Sequence, residues 1–243
     1  MTMAGDGLRP TMAEPRPDGR QAAMLRPMRC ERGVLRRADG SARYSHDRTT
    51  VLVAVYGPCE VKKRREELER ATLELIVRPP SGPPRARERE MESLLHGLFA
   101  PLVVTTLHPR AAVCIIVQVV EDDGAVLAAA INCAAVALMD AGVAMRSIPS
   151  AVALALGAGD TGGADAALLD PCRAEEAAAA GMVTVACAHT LSASRKDGPA
   201  VALLSCSGRL DPDELDALVR LAQGSHDLIC EFAKRALAQG MAV

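Results

Sequence analysis

The chain has 243 residues, 28 Lys and Arg against 30 Asp and Glu, and a formal charge of −2. A polyanion partner held by global charge is therefore excluded, and any such contact must come from a local basic patch. Hydrophobic residues make up 49% but aromatic ones only 2%, so Ala, Val, Leu and Ile must fill the core and a base-stacking platform is not expected.

Residues 1–28 are rich in Pro, Gly, Arg and Asp and carry no hydrophobic period, which predicts a disordered extension. A single domain is expected over residues 29–243, a length that buries a substantial core. Asp39-Gly40 marks a turn ahead of Ala42 to Val55, whose Thr49–Val55 stretch is strand-like, so a β-hairpin is predicted there. Gly57-Pro58 is read as the end of that strand. A charged segment, 62–70, precedes a strand over Ala71 to Val77, and Pro79-Pro80 closes it. Met91, Leu94, Leu95, Leu98 and Leu102 recur at three- and four-residue steps and predict a helix over Arg85 to Val104. A buried strand over Ala111 to Val120 and an Ala-rich helix over Leu127 to Met139 follow. Strands are predicted at 151–156, 166–169, 183–188 and 201–205, with a turn over 157–163. A closing amphipathic helix runs from Asp211-Pro212-Asp213-Glu214 to about Ala238. This order predicts an α+β fold of two related layers.

Eight cysteines are spread evenly without a C-x-x-C pair, several of them inside apolar runs. They read as buried free thiols of a reducing compartment rather than a disulfide framework or zinc site. No run approaches the roughly 18 apolar residues of a membrane span, and the first residues lack a secretory pattern. A soluble intracellular protein without membrane contact is expected.

Several segments carry a resemblance: Glu31–Ala42 (ERGVLRRADGSA), Thr50–Pro58 (TVLVAVYGP), Leu107–Arg110 (LHPR), Val119–Gly124 (VVEDDG), Ala130–Val143 (AINCAAVALMDAGV) and Leu168–Pro171 (LLDP). In register from about residue 29 to 238, the chain resembles RNase PH and the RNase PH-like subunits of the RNA exosome, most of all a eukaryotic ring subunit. The resemblance implies one α+β domain, with two mixed or antiparallel sheets and packed helices. It also implies assembly with other RNase PH-like subunits into a hexameric ring around a channel for single-stranded RNA, or a homodimer when isolated. The function implied is 3′→5′ RNA processing and degradation, rRNA included, in the nucleus and nucleolus and also the cytoplasm.

Phosphorolysis needs inorganic phosphate in line with the terminal phosphodiester, and a helix N-terminus favours an anion through unpaired N–H groups and its dipole. In active relatives the start of the helix that follows the strand over Ala111 to Val120 reads Gly-Gly-Thr-Arg; here it reads Gly124-Ala125-Val126-Leu127. The hydroxyl and the guanidinium are both absent, and charge-assisted bonds of this kind are worth roughly 1.5–3 kcal/mol each. A second phosphate-binding Arg of active relatives falls at His96, which reads more simply as a polar residue at the edge of its helix. Asp170 matches the first of two acidic residues beside the scissile bond, and Glu176 falls where the second is expected. Such carboxylates hold Mg²⁺ or Mn²⁺ or assist proton transfer. They also read as a turn residue and a first-turn acid that complements a helix dipole.

For RNA contact the candidates are Lys62, Lys63, Arg64, Arg65, Arg70, Arg85, Arg87 and Arg89, whose side chains bind phosphates without reading bases. Interleaved glutamates make a solvated charged face an equal explanation. Two functions stay open: a non-catalytic or weakly active ring subunit, and an active phosphate-dependent exoribonuclease or metal-dependent nuclease as a free homodimer. A Ser-His-Asp hydrolase is disfavoured, because Ser45, His46 and Asp47 are adjacent on a strand approach and no G-x-S-x-G occurs.

Overall fold

The computed structural model describes residue 16 and residues 18–61, 63–157, 167–189, 199–208 and 211–239. Among these residues nine strands and four α-helices build two sheets. In the first, β1 (Met28–Arg32), β2 (Gly40–His46) and β3 (Thr49–Glu60) are antiparallel neighbours. There β5 (Ala111–Glu121) pairs antiparallel with β3, and β4 (Thr72–Arg78) lies parallel to β5 at the edge. A parallel pair needs a crossover, and α1 (Ala86–Leu102) supplies it while packing on β4. The second sheet is antiparallel throughout, in the order β7 (Ala167–Leu169), β6 (Ser150–Leu156), β8 (Gly181–Ala188), β9 (Ala200–Gly208). The long α4 (Pro212–Gln239) covers β6 and β8, and the short α3 (Arg173–Ala178) joins β7 to β8.

The helix α2 (Val126–Asp140) lies between the layers, against β2 and β3 on one side and β6 and β8 on the other. Its sequence explains this position. Twelve of its residues are buried, and a helix that is apolar all round belongs in a core. Its alanines let the neighbouring backbone approach closely. At Gly40 of β2 a Cβ would lie 2.3 Å from the Ala141 nitrogen and 2.5 Å from the Ala137 carbonyl oxygen, so only glycine fits there.

Two expected segment boundaries are corrected. The strand expected to stop at Gly57-Pro58 continues to Glu60, because the ladder to β5 is irregular between Tyr56 and Cys59. A bulge is one of the few strand positions that tolerates a proline, which has no N–H to donate. The second correction concerns the extension assigned to residues 1–28. Arg16 and residues 18–28 belong to the fold: Arg16 and Arg26 are buried, the Leu169 N–H donates to the Ala22 carbonyl at 2.8 Å, and Leu25 and Met28 pack against the second core cluster. Their composition hides this because two buried arginines, with only a few apolar side chains, anchor the segment. Residues 1–15, 158–163 of the expected turn, and Lys62 lie outside the described residues.

All eight cysteines are free, but only Cys133, Cys187 and Cys230 are buried as expected; Cys30, Cys114 and Cys172 are partly exposed, and Cys59 and Cys206 exposed. Cys59 follows the bulge and Cys206 lies on the exposed strand β9. Among the described residues, no helix is long and apolar enough to cross a membrane.

Candidate active site

The turn into α2 is built by backbone conformation. Gly124 has φ +92°, and Ala125 caps the helix in the left-handed region at φ 54°, ψ 30°. That conformation is costly for a residue with a Cβ, by about 1–2 kcal/mol. A Cβ at Gly124 would meet the Pro171 carbonyl oxygen and the Arg173 nitrogen at 2.8 Å. Glycine thus lets the start of α2 pack directly on the segment that leads into α3, and the Arg173 N–H donates to the Asp123 carbonyl at 3.0 Å. This packing brings Gly124 and Ala125 together with Asp170 and Glu176.

Two N–H groups of this turn are already occupied. Ala125 donates to Glu176 Oε1 at 2.7 Å, and Gly124 donates to Asp122 Oδ1 at 3.1 Å. Burial pushes the Glu176 carboxyl above its usual range; the Ala125 N–H opposes this, and the negative charge of Asp122 adds to it. Two carboxylates of the chain therefore lie against the start of α2, where the helix dipole favours negative charge. Val126 is buried and, like Leu127, offers neither hydroxyl nor charge.

Asp170 is held differently. It adopts φ 52° at the end of β7 and is 1% exposed. One carboxylate oxygen accepts from Arg26 Nη2 at 2.7 Å and the other from the Arg26 backbone N–H at 2.9 Å, while His46 Nδ1 lies 3.4 Å from the first. Burial disfavours the ionised form, but His46 and Arg26 together outweigh it and hold the carboxyl well below the usual carboxylate range. With both oxygens engaged in a buried ion pair, the geometry favours the turn-forming role of Asp170 over a metal-binding one. Neither Asp170 nor Glu176 belongs to a close group of three or more His, Cys, Asp or Glu ligand atoms among the described residues. Residues suited to Mg²⁺ or Mn²⁺ by type are thus not arranged as an open oxygen cage.

Arg26 ties the whole turn together. Its Nη1 donates to the Asp123 carbonyl at 2.9 Å and its Nη2 to the Gly124 carbonyl at 3.2 Å. Thr49 Oγ1 adds a bond to the Gly124 carbonyl at 2.7 Å. Alongside, Arg16 grips Glu175 with two bonds of 2.7 and 2.8 Å and donates to the Leu169 and Asp170 carbonyls at 2.9 and 3.1 Å. The N-terminal segment is thereby a belt around β7 and α3. Sequence reasoning missed Arg16, Arg26 and His46. Each lies more than 120 positions from its acidic partner, beyond the reach of any local pattern.

The remaining candidates fall on the surface. His96 is exposed on α1, with no hydrogen bond to the turn at 124–127 among the described residues. Arg65 pairs with Glu74 at 3.0 Å, Arg70 with Glu67, and Arg87 with Asp122 at 2.8 Å. These three belong to the solvated charged face. Lys63, Arg85 and Arg89 are exposed and make no side-chain ion pair among the described residues, while Lys62 and the Arg64 side chain lie outside them.

Residues 24–144 match the family described as the 3′ exoribonuclease family, domain 1. The chain is 34% identical over 227 residues to the mouse exosome complex component RRP41, covering 87% of each chain. The chain belongs to the RNase PH-like 3′ exoribonuclease family. Among its RNase PH-like relatives, the Arabidopsis thaliana exosome complex exonuclease RRP46 homolog is 42% identical over 141 residues, 58% of this chain and 59% of that one. The chain thus spans less than two thirds of that relative's length in the match. The crystal structure of rice Rrp46 superposes with a TM-score of 0.82 at 29% identity, over 92% of this chain and all of that one. The RNase PH-like fold expected from the resemblance is thus present, with its two sheets and packed helices, and similarity to the ribosomal RNA-processing protein 46 type extends through the structure. An Archaeoglobus fulgidus exosome chain shares the fold at a TM-score of 0.74 and 21% identity.

Proposed function

We propose that this chain is a non-catalytic ring subunit of an RNA exosome. In this reading it takes part in 3′→5′ RNA processing and degradation, rRNA included, by forming part of an RNA channel with other RNase PH-like subunits in a hexameric ring. Single-stranded RNA contacts Lys63, Arg85 and Arg89 through its phosphates, and the protein works in the nucleus, nucleolus and cytoplasm. The observation that carries the proposal is the occupation of the Gly124 and Ala125 N–H groups by Asp122 and Glu176, in a turn whose side chains offer no replacement for a phosphate-binding hydroxyl or guanidinium. The relatives that are named as exosome components support the ring assignment.

The test is degradation of 5′-labelled single-stranded RNA by the purified chain, with and without phosphate and with and without Mg²⁺, beside a Glu176→Gln variant. The expected result is RNA binding that weakens with salt and no release of nucleoside diphosphates under any condition. Phosphate-dependent diphosphate release that disappears in Glu176→Gln would overturn the proposal and make the chain a phosphorolytic enzyme. Release of monophosphates that requires Mg²⁺ would instead make it a hydrolase.

A further inference from the structure

A second polar cluster lies where β8 ends against the middle of α4, at the end of β6 away from its pairing with β7. His189 directly follows β8, and His226 and Asp227 lie on α4. One ligand atom from each lies within 4.8 Å of the other two, and among the described residues no other group of three or more His, Cys, Asp or Glu comes this close.

The three differ in how firmly they are held. His226 is fully buried, and its Nδ1 lies 2.6 Å from Ser150 Oγ. A hydrogen bond on one ring nitrogen fixes the imidazole and leaves Nε2 as the coordinating atom, the usual outer-shell arrangement of a metal-ligating histidine. The His189 ring stands edge-on to it, with centroids 4.8 Å apart and planes at 75°. His189 Nε2 is 3.6 Å from Asp227 Oδ1, and these two side chains are 51% and 82% exposed. One ligand is therefore rigid and two are free to turn. Cys230 Sγ is almost equidistant from both His226 nitrogens, at 3.8 and 3.6 Å, so it lies off the ring's lone-pair directions and outside the ligand set.

We propose that His189, His226 and Asp227 bind a divalent first-row transition ion of the Zn²⁺ type and so clip β8 to α4. Two imidazoles and a carboxylate suit that class, whereas Mg²⁺ and Ca²⁺ prefer oxygen donors. Bonds of about 2.0–2.2 Å in a tetrahedral site place ligand atoms about 3.3 Å apart. In this proposal the two exposed side chains turn toward the fixed His226 ring to make that contraction. Three protein ligands leave a fourth position for water.

Titrating the full, reduced chain with Co²⁺ and following its absorption tests the site, because eight free thiols offer competing ligands and a thiolate ligand adds an intense near-ultraviolet band that nitrogen and oxygen ligands lack. The expected result is one Co²⁺ per chain with visible bands, no thiolate band, displacement by Zn²⁺ and indifference to Mg²⁺. The surface substitutions His189→Ala and Asp227→Asn each weaken binding by roughly tenfold or more, with the folded state checked by circular dichroism. Absence of stoichiometric binding, a thiolate band, or unchanged affinity in the His189→Ala, Asp227→Asn double variant would each overturn the proposal.

Discussion

Replacing Arg26 by Met lowers the free energy of unfolding at neutral pH by about 3–5 kcal/mol, the range found when one partner of a buried ion pair is removed. Domain stabilities are about 5–15 kcal/mol, so this single change removes a large share. The Arg26 and Asp170 side chains are each 2% exposed, so water cannot replace the lost partner. The same substitution takes one donor each from the carbonyls of Asp123 and Gly124, which keep the Arg173 N–H and Thr49 Oγ1, and the turn into α2 loosens in part. The pH dependence identifies the mechanism. In the wild type the Asp170 carboxyl is depressed by His46 and Arg26 against the opposing effect of burial. Its contribution is therefore fully present above the unfolded value of about 3.9 and is lost as pH falls below it. Without Arg26 burial gains weight, the carboxyl shifts upward, and the variant recovers part of its deficit on acidification from pH 7 toward pH 4. Urea unfolding at both pH values reads this directly. A deficit unchanged by pH would assign the loss to packing of the arginine stem, and an Arg26→Met, Asp170→Asn double variant should lose less than the sum of the single changes.

Asn132→Leu is the second large effect, at roughly 2–4 kcal/mol. β7 pairs only with Leu154–Leu156 of β6, which leaves the backbone of Ala151 open on that side. The Asn132 side chain, reaching from α2, accepts from the Ala151 N–H at 2.8 Å and donates to its carbonyl at 2.9 Å. An amide thus stands in for one rung of a missing strand. Leucine preserves the volume but strands two buried backbone groups, each of which costs about 1–3 kcal/mol. Urea unfolding measures the loss, and accelerated amide exchange at Ala151 locates it. A variant as stable as the wild type would show that water reaches this edge.

The strands rich in Val and Ile and the Ala-rich α2 were legible because each repeats a local signal over many residues. The turn at Gly124 was legible through glycine and its place between a strand and a helix, and only the resemblance to RNase PH pointed to Asp170 and Glu176 beside it. Their separate roles were not legible. The carboxylate of Asp170 is turned inward by an arginine 144 positions away, while that of Glu176 reaches a backbone N–H 51 positions away. Asn132 lay in a segment recognised for its resemblance, yet a polar residue within an apolar helix does not announce which strand edge it completes. Arg16 and Arg26 were discounted because charged, proline-rich sequence usually lacks the apolar surface to fold, and here carbonyl and carboxylate oxygens take the place of that surface.

The belt formed by Arg16 and Arg26 also fixes an order of events during synthesis. These residues emerge from the ribosome before their partners, since Asp170 and Glu175 follow 144 and 159 positions later. At about 5–20 residues per second the delay is roughly 10–30 s. Until then the first sheet, including β1, can form, but the segment ahead of it has no counter-charge and stays exposed to proteases and to whatever chaperone meets the nascent chain. Closure of the belt is therefore a late step that reports completion of the second layer.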